Sequence, residues 1–159
     1  MSASRPWNAE EANEIIARHR DRPGALLPML RALQDAFGYM DEAAIPEIAS
    51  ALNISRAEVH GVITFYHDFH TTPGGTHVLK VCRAEACQSM GCNALVDHLE
   101  KSLGVQLGNT TTDGSVTLEA VYCLGNCALS PAAMLDGKLY GRVSPQRAEQ
   151  LLADARRRA

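Results

Sequence analysis

Cysteines at 82 and 87, and again at 123 and 127, form two close pairs with thirty-five residues between them, each where a β-branched run gives way to a loop. If both pairs serve one centre, the chain must bring the ends of two separate strands together, which removes most topologies. The runs are THVLKVC (76–82) and SVTLEAVYC (115–123), and their Val- and Thr-rich composition predicts strands. Between them, ALVDHLEKSLG (94–104) sets Leu95, Val96, Leu99 and Leu103 on one helical face and stops at Gly104.

The remaining C-terminal elements follow from turn and cap chemistry. AAMLDGKLYGRV (132–143) reads as a hairpin about Asp136-Gly137, and Ser144-Pro145 opens a last helix with a side-chain cap and proline at the first helical position. Strand, helix, strand, hairpin and helix compose an α/β sandwich compatible with a thioredoxin-like layout. The basic run at 156–158 reads as a solvated helix end.

Upstream the period changes to that of helices. Asn8 with Glu11 makes a capping box, followed by Ala12, Ile15, Ile16 and His19 at helical spacing until the RPG at 22–24. Leu26, Leu30, Leu33 and Phe37 form a second stripe that stops at Gly38, with Pro28 tolerable only in its first turn. Asp41 is a candidate cap for a third helix carrying Ile45, Ile48, Ala49 and Leu52. Ser55 with Glu58 is a second capping box, opening RAEVHGVITFYHDF (56–69). TTPGG at 71–75 is the clearest break, a turn or linker, and divides a helical domain over 1–72 from an α/β domain over 76–159.

The expected compartment is the cytoplasm. The N-terminus is polar where a secretory leader needs an apolar run, and no stretch of eighteen uncharged apolar residues suggests a membrane span. There thiols stay reduced, so clustered cysteines serve metal or redox chemistry more often than structural disulfides. Structural zinc prefers tighter knuckles, so C-x4-C and C-x3-C lie at the loose end of its range, and thioredoxin-type exchange needs a C-x-x-C that is absent. A 2Fe-2S cluster suits two pairs on two loops, because each iron needs two protein ligands. Spacing favours iron and sulfur over zinc, and zinc over a disulfide.

The residues around the pairs, CRAEAC and CLGNCALSP, are small and polar. Gly125 and Asn126 are candidates for left-handed conformations that aim N–H groups at cluster sulfur, and Arg83 would favour a reduced, more negative cluster unless it merely pairs with Glu85. Cys92, in the first turn of the following helix, reads as a buried spare thiol.

Other functions fit less well. IPEIASALNISRAEVHGVITF (45–65) has the apolar spacing of a DNA-binding helix-turn-helix, but it lies in a half with six basic against ten acidic residues, and phosphate binding needs several cations. His60, His67 and His70 cluster in one region, and His67 and His70, at i, i+3, could bind metal, yet no carboxylate or third histidine is placed with them, so they read as packing or surface histidines. Ser130 follows no nucleophile elbow, and no glycine-rich phosphate loop occurs.

HGVITFYHDF (60–69), the C-x4-C pair and CLGNC (123–127) together resemble the 24-kDa-type subunit of respiratory complex I and its relatives, over about residues 10–152. The resemblance implies an α+β chain: an N-terminal helical bundle that docks a partner, followed by a thioredoxin-like α/β 2Fe-2S ferredoxin domain. It implies that Cys82, Cys87, Cys123 and Cys127 ligate the iron, with no catalytic residue on this chain. VCRAEACQSMG (81–91) is most similar to the gamma subunit of soluble NAD-dependent, molybdenum-containing formate dehydrogenases. That implies an electron-transfer role, in which the chain trades electrons with a flavin/NAD-binding beta subunit that carries FMN and a 4Fe-4S cluster. Through that partner it would serve a molybdopterin-containing alpha subunit. The alternatives are the equivalent subunit of complex I or of an NAD-reducing hydrogenase, and more remotely a zinc-stabilised interaction module. Neither nucleic acid nor membrane is an expected partner. Ser130 stands where related chains often have Gly or Ala.

Overall fold

The computed structural model describes residues 5–157. The chain divides into two compact units, the break falling between Gly74 and Gly75.

The first unit is helical: α1 Ala9–His19, α2 Leu26–Phe37, α3 Ala44–Leu52 and α4 Arg56–Phe65. Leu30, Leu33, Phe37, Ile48, Val59 and Ile63 join one buried cluster, and each such large side chain contributes about 1.5–3 kcal/mol on leaving water. Pro28 is the third residue of α2, inside the first turn, and Gly38 ends that helix at φ 83°. The first capping box closes only halfway. Asn8 accepts from the Glu11 N–H, but the Glu11 carboxylate is taken by the Arg5 guanidinium.

Asp41 is not the cap of α3. Capping there would place Pro46 in the helix interior, where its missing N–H and its ring would break the ladder. The helix starts at Ala44 instead, making Pro46 its third residue, while the Asp41 carboxylate accepts from the Ala43 N–H at 2.9 Å in a preceding turn. The second capping box forms completely.

α4 stops at Phe65 rather than continuing to Phe69, with Tyr66 extended at φ -93°, ψ 106°. The side chain of Gln34, 5% exposed, holds the chain that follows: its Nε2 donates to the Asp68 carbonyl at 2.5 Å and its Oε1 accepts from the His70 N–H at 2.8 Å. His67 and His70 therefore lie beyond the helix.

In the second unit the sheet order is β2-β1-β3-β4, built from β1 His77–Cys82, β2 Val116–Val121, β3 Ala133–Leu135 and β4 Lys138–Tyr140. β1 and β2 are parallel, and the other neighbours antiparallel. Two helices follow β1, a short α5 Glu85–Ser89 and α6 Cys92–Leu103; α7 Pro145–Arg156 closes the unit. Leu79, Val81, Val116 and Leu118 from the strands, Leu95 and Leu99 from α6, and Leu151 and Leu152 from α7 share a core. Asp136 and Gly137 take φ 50° and 82°, as a tight hairpin requires.

Three local readings change. β2 ends at Val121, releasing Tyr122 and Cys123 into the loop. Gly75 is no loose linker: it is buried, donates to Thr117 Oγ1 at 2.7 Å, and a Cβ there would sit 2.9 Å from the Val116 carbonyl carbon. In the basic run, Arg156 donates to Ser115 Oγ at 3.0 Å and Arg157 pairs with Asp154, while Arg158 lies outside the described residues. Among the described residues no helix is long and apolar enough to cross a membrane.

Gln34→Ala should destabilise the chain by about 1–2 kcal/mol, because it removes two part-buried hydrogen bonds to the backbone at Asp68 and His70. A lower denaturant midpoint, with backbone protection lost around 68–70, is the expected result.

Candidate metal centre

Parallel pairing of β1 with β2 sets Cys82 opposite Val121, so both strands run out at the same edge of the sheet. Cys82 is the last residue of β1, and Cys123 comes two residues after the end of β2. The last bond between the strand ends is Arg83 N–H to the Val121 carbonyl at 2.8 Å. The chain then turns through α5, where the Cys87 N–H donates to the Ala84 carbonyl at 2.9 Å, folding Cys87 back toward Cys82.

Cys82 and Cys87 are each 2% exposed, and with Cys92 and Ala132 they form a small buried cluster of their own. Cys123 and Cys127 are exposed. One thiol pair is thus dry and the other open to the surface. The two loops nevertheless meet, since Leu124 of the second packs against the buried cluster that holds Cys82 and Cys87, where its backbone N–H draws the Cys82 thiol down.

Electrostatics follow this arrangement. Burial pushes the Cys82 thiol up, Cys87 adds to the rise, and the Ala84 and Leu124 amides oppose it. For Cys87 burial acts upward too, but the Ser130 hydroxyl, the Ala132 N–H and the Cys82 thiol outweigh it and leave the group lowered. Cys127 is raised chiefly by the Cys123 side chain, with smaller contributions from burial and from Cys87 and Cys82. Sulfurs from both loops therefore feel one another. Several thiolates so close together resist joint ionisation unless a cation neutralises them, which is the task of bound metal.

The Gly125 N–H lies 3.3 Å from Cys123 Sγ as its donor, with Gly125 at φ 71°. Asn126 departs from the expectation and takes φ -111°. The left-handed burden falls instead on Cys123, at φ 136°, a costly conformation for a residue with a Cβ and one that concentrates at functional sites. Arg83 does not pair with Glu85. Its guanidinium reaches Asn93 Oδ1 at 3.4 Å, and its buried Nε has no hydrogen-bond partner. Cys92, fully buried at the start of α6, is pushed up by burial first and by Cys87 next.

These donors fit a 2Fe-2S cluster. Four sulfurs come from two pairs, amides from the second loop face sulfur, and a cationic side chain with an unpartnered N–H adjoins Cys82. Among the described residues no three His, Cys, Asp or Glu side chains converge on one ion-sized site; two irons taking two thiolates each do not require that.

Two positions whose contacts spacing could not show lie at the second loop. Gly141 lets the exit of the hairpin press on it: the Arg142 N–H donates to the Leu129 carbonyl at 2.6 Å, and a Cβ on Gly141 would lie 2.5 Å from Leu129 Cβ and 2.9 Å from Asn126 Nδ2. Ser130 is the second, its hydroxyl buried beside Cys87.

Fold and thiols together define a thioredoxin-like iron-sulfur protein. Residues 12–156 match the family of thioredoxin-like 2Fe-2S ferredoxins; the chain belongs to that family, and its cofactor is a 2Fe-2S cluster. Similar proteins include a subunit of the NADH-quinone oxidoreductase of Rhizobium meliloti, 36% identical over 92% of this chain and 88% of the relative. A subunit of the NADH-quinone oxidoreductase of Pseudomonas aeruginosa is 38% identical over 84% of this chain and 81% of its own length. The HndA subunit of the NADP-reducing hydrogenase of Solidesulfovibrio fructosivorans is 31% identical over 91% and 84%. Among solved structures, an air-oxidised NAD+-reducing NiFe hydrogenase superposes with a TM-score of 0.72 at 26% identity. The alignment covers 89% of this chain and 24% of that one.

Gly141→Ala should displace the loop carrying Cys127 and cost roughly 1–3 kcal/mol, the usual penalty for overpacking. Its thermal midpoint should fall, and the iron and acid-labile sulfide bound per chain should fall with it.

Proposed function

We propose that this chain is the electron-transfer subunit of an NAD-linked oxidoreductase complex of the NADH-quinone oxidoreductase or NAD(P)-reducing hydrogenase type. Cys82, Cys87, Cys123 and Cys127 hold its cluster. The observation that carries the ligand set is the meeting of the two strand ends: Cys82 lies opposite Val121, the Arg83 N–H donates to the Val121 carbonyl at 2.8 Å, and Leu124 of the second loop packs against the Cys82 and Cys87 cluster. Cys92 is the spare thiol, since it alone belongs to neither strand-end pair. The identities of the relatives support the kind of complex.

On this reading the cluster exchanges single electrons with a flavin- and NAD-binding subunit, and neither substrate nor catalytic base is needed on this chain. The helical unit (1–72) serves as docking surface. Phe65, 72% exposed, meets Tyr66 edge-on at 5.1 Å, and Tyr66 meets Phe69 at 6.2 Å, an aromatic row suited to a partner protein. Four cysteines given to a cluster and one spare thiol suit a reducing, cytoplasmic setting. A formate dehydrogenase assignment draws its support from VCRAEACQSMG, whereas the relatives support the quinone or hydrogenase setting.

The purified chain should be brown, contain two irons and two sulfides, and give an EPR signal on reduction. Cys123→Ser should abolish or shift that signal and Cys92→Ser leave it intact; equal effects would refute the ligand set. Subunits co-purifying from the native host identify the complex: membrane subunits for a quinone reductase, a nickel-iron subunit for a hydrogenase, a molybdopterin subunit for formate oxidation.

A further inference from the structure

Ser130 closes the 3-10 turn Cys127–Leu129 and is buried at 8% exposure. Its hydroxyl donates to the Cys127 carbonyl at 2.7 Å, and the Cys87 thiol in turn donates to the Ser130 oxygen at 3.5 Å. That chain of bonds holds only while Cys87 keeps its proton. A Cys87 that ligates iron has none, and the serine oxygen would then face a thiolate with lone pairs on both sides.

The single hydroxyl proton then has two acceptors to choose between. The Cys127 carbonyl also accepts from the Ser130 backbone N–H at 3.3 Å, so losing the hydroxyl does not orphan it. A bond to an ionised acceptor is roughly twice as strong as one between neutral groups. The balance therefore turns the proton toward sulfur.

We propose that Ser130 tunes the cluster: in the loaded protein its hydroxyl rotates from the Cys127 carbonyl to the Cys87 sulfur and favours the reduced state. The inference rests on Cys87 being a ligand, as proposed above. Reduction adds one electron and no proton, so the extra negative charge spreads over the sulfurs. A donor held against one ligand sulfur stabilises that form more than the oxidised one and raises the potential. Alanine or glycine at this position supplies no such donor.

The test is a potentiometric titration with dithionite and mediators, followed by EPR, on the cluster-loaded chain and its Ser130→Ala, Ser130→Gly and Ser130→Thr variants. At the wild-type midpoint, the reduced-to-oxidised ratio should fall roughly tenfold in the Ala and Gly variants, equivalent to about 59 mV for one electron. The Thr variant, which keeps the hydroxyl, should stay near wild type, and iron and sulfide content should be unchanged throughout. Equal potentials in all four proteins, or an equal fall in all three variants, would overturn the proposal. So would loss of the cluster from both the Ala and Gly variants, since the hydroxyl would then be holding the loop rather than setting the couple. A Cys87→Ser protein with an unaltered cluster spectrum would instead remove the ligand assignment beneath it.

Discussion

Everything around the thiols depends on the parallel pairing of β1 and β2 in one register. Parallel neighbours point their carboxyl ends the same way, and the loops leaving those ends share one edge, the usual place for a ligand in such sheets. With Cys82 opposite Val121, the two pairs leave the sheet side by side. A slip of one residue would turn Cys82 to the other face and pull Leu79 and Val81 out of the core. The hydrophobic alternation that builds the core thus also sets the position of the first sulfur. Lys80 and Glu119, partners in the same register and 3.0 Å apart, add an ion pair on the half-buried face.

The thiols are unequal because the loops carrying them are. α5 folds Cys87 under the chain, whereas the second loop runs over the surface and keeps its shape through Gly125, the strained Cys123 and the close approach of Gly141. A cluster held by the proposed ligands would meet buried sulfurs on the first loop and exposed ones on the second. Burial alone would disfavour added charge; the Leu124 and Gly125 N–H groups and the cationic Arg83 offset it.

Much of this was legible in the sequence because it rests on local rules. Leu30, Leu33 and Phe37 repeat at helical spacing and lie in the core; Gly38, Ser55 and Ser144 cap as their types predict; Asp136-Gly137 makes the hairpin. Most of the failures came where a distant contact overrode a local preference. The α4 pattern runs on past Phe65, yet Gln34, more than thirty residues away, claims the backbone at Asp68 and His70. Pro46 displaced the cap from Asp41, a signal present in the sequence but outweighed by the attraction of an acidic residue. Nothing in a linear reading of CLGNC places the strain on Cys123 rather than Asn126, because the strand end that forces it is set by pairing with β1. Gly141 and Ser130 belong to contacts between segments, so their roles are visible only once the hairpin and the loop meet.

The exposed side of the second loop suggests why such a chain would work inside a complex. Tyr122, 73% exposed, immediately precedes Cys123, and the exposed Leu129 lies two residues after Cys127. Large apolar side chains flanking a surface thiol pair leave roughly 25 cal/mol per Å² unrecovered until something covers them. A covering protein would also exclude water from the open side of the cluster. Electron transfer benefits from both effects, because a nearby, dry acceptor shortens the path and a rigid sheet edge leaves little to reorganise when one charge arrives. The same two strand ends that gather the sulfurs therefore present them, with an apolar border, to whatever partner receives the electron.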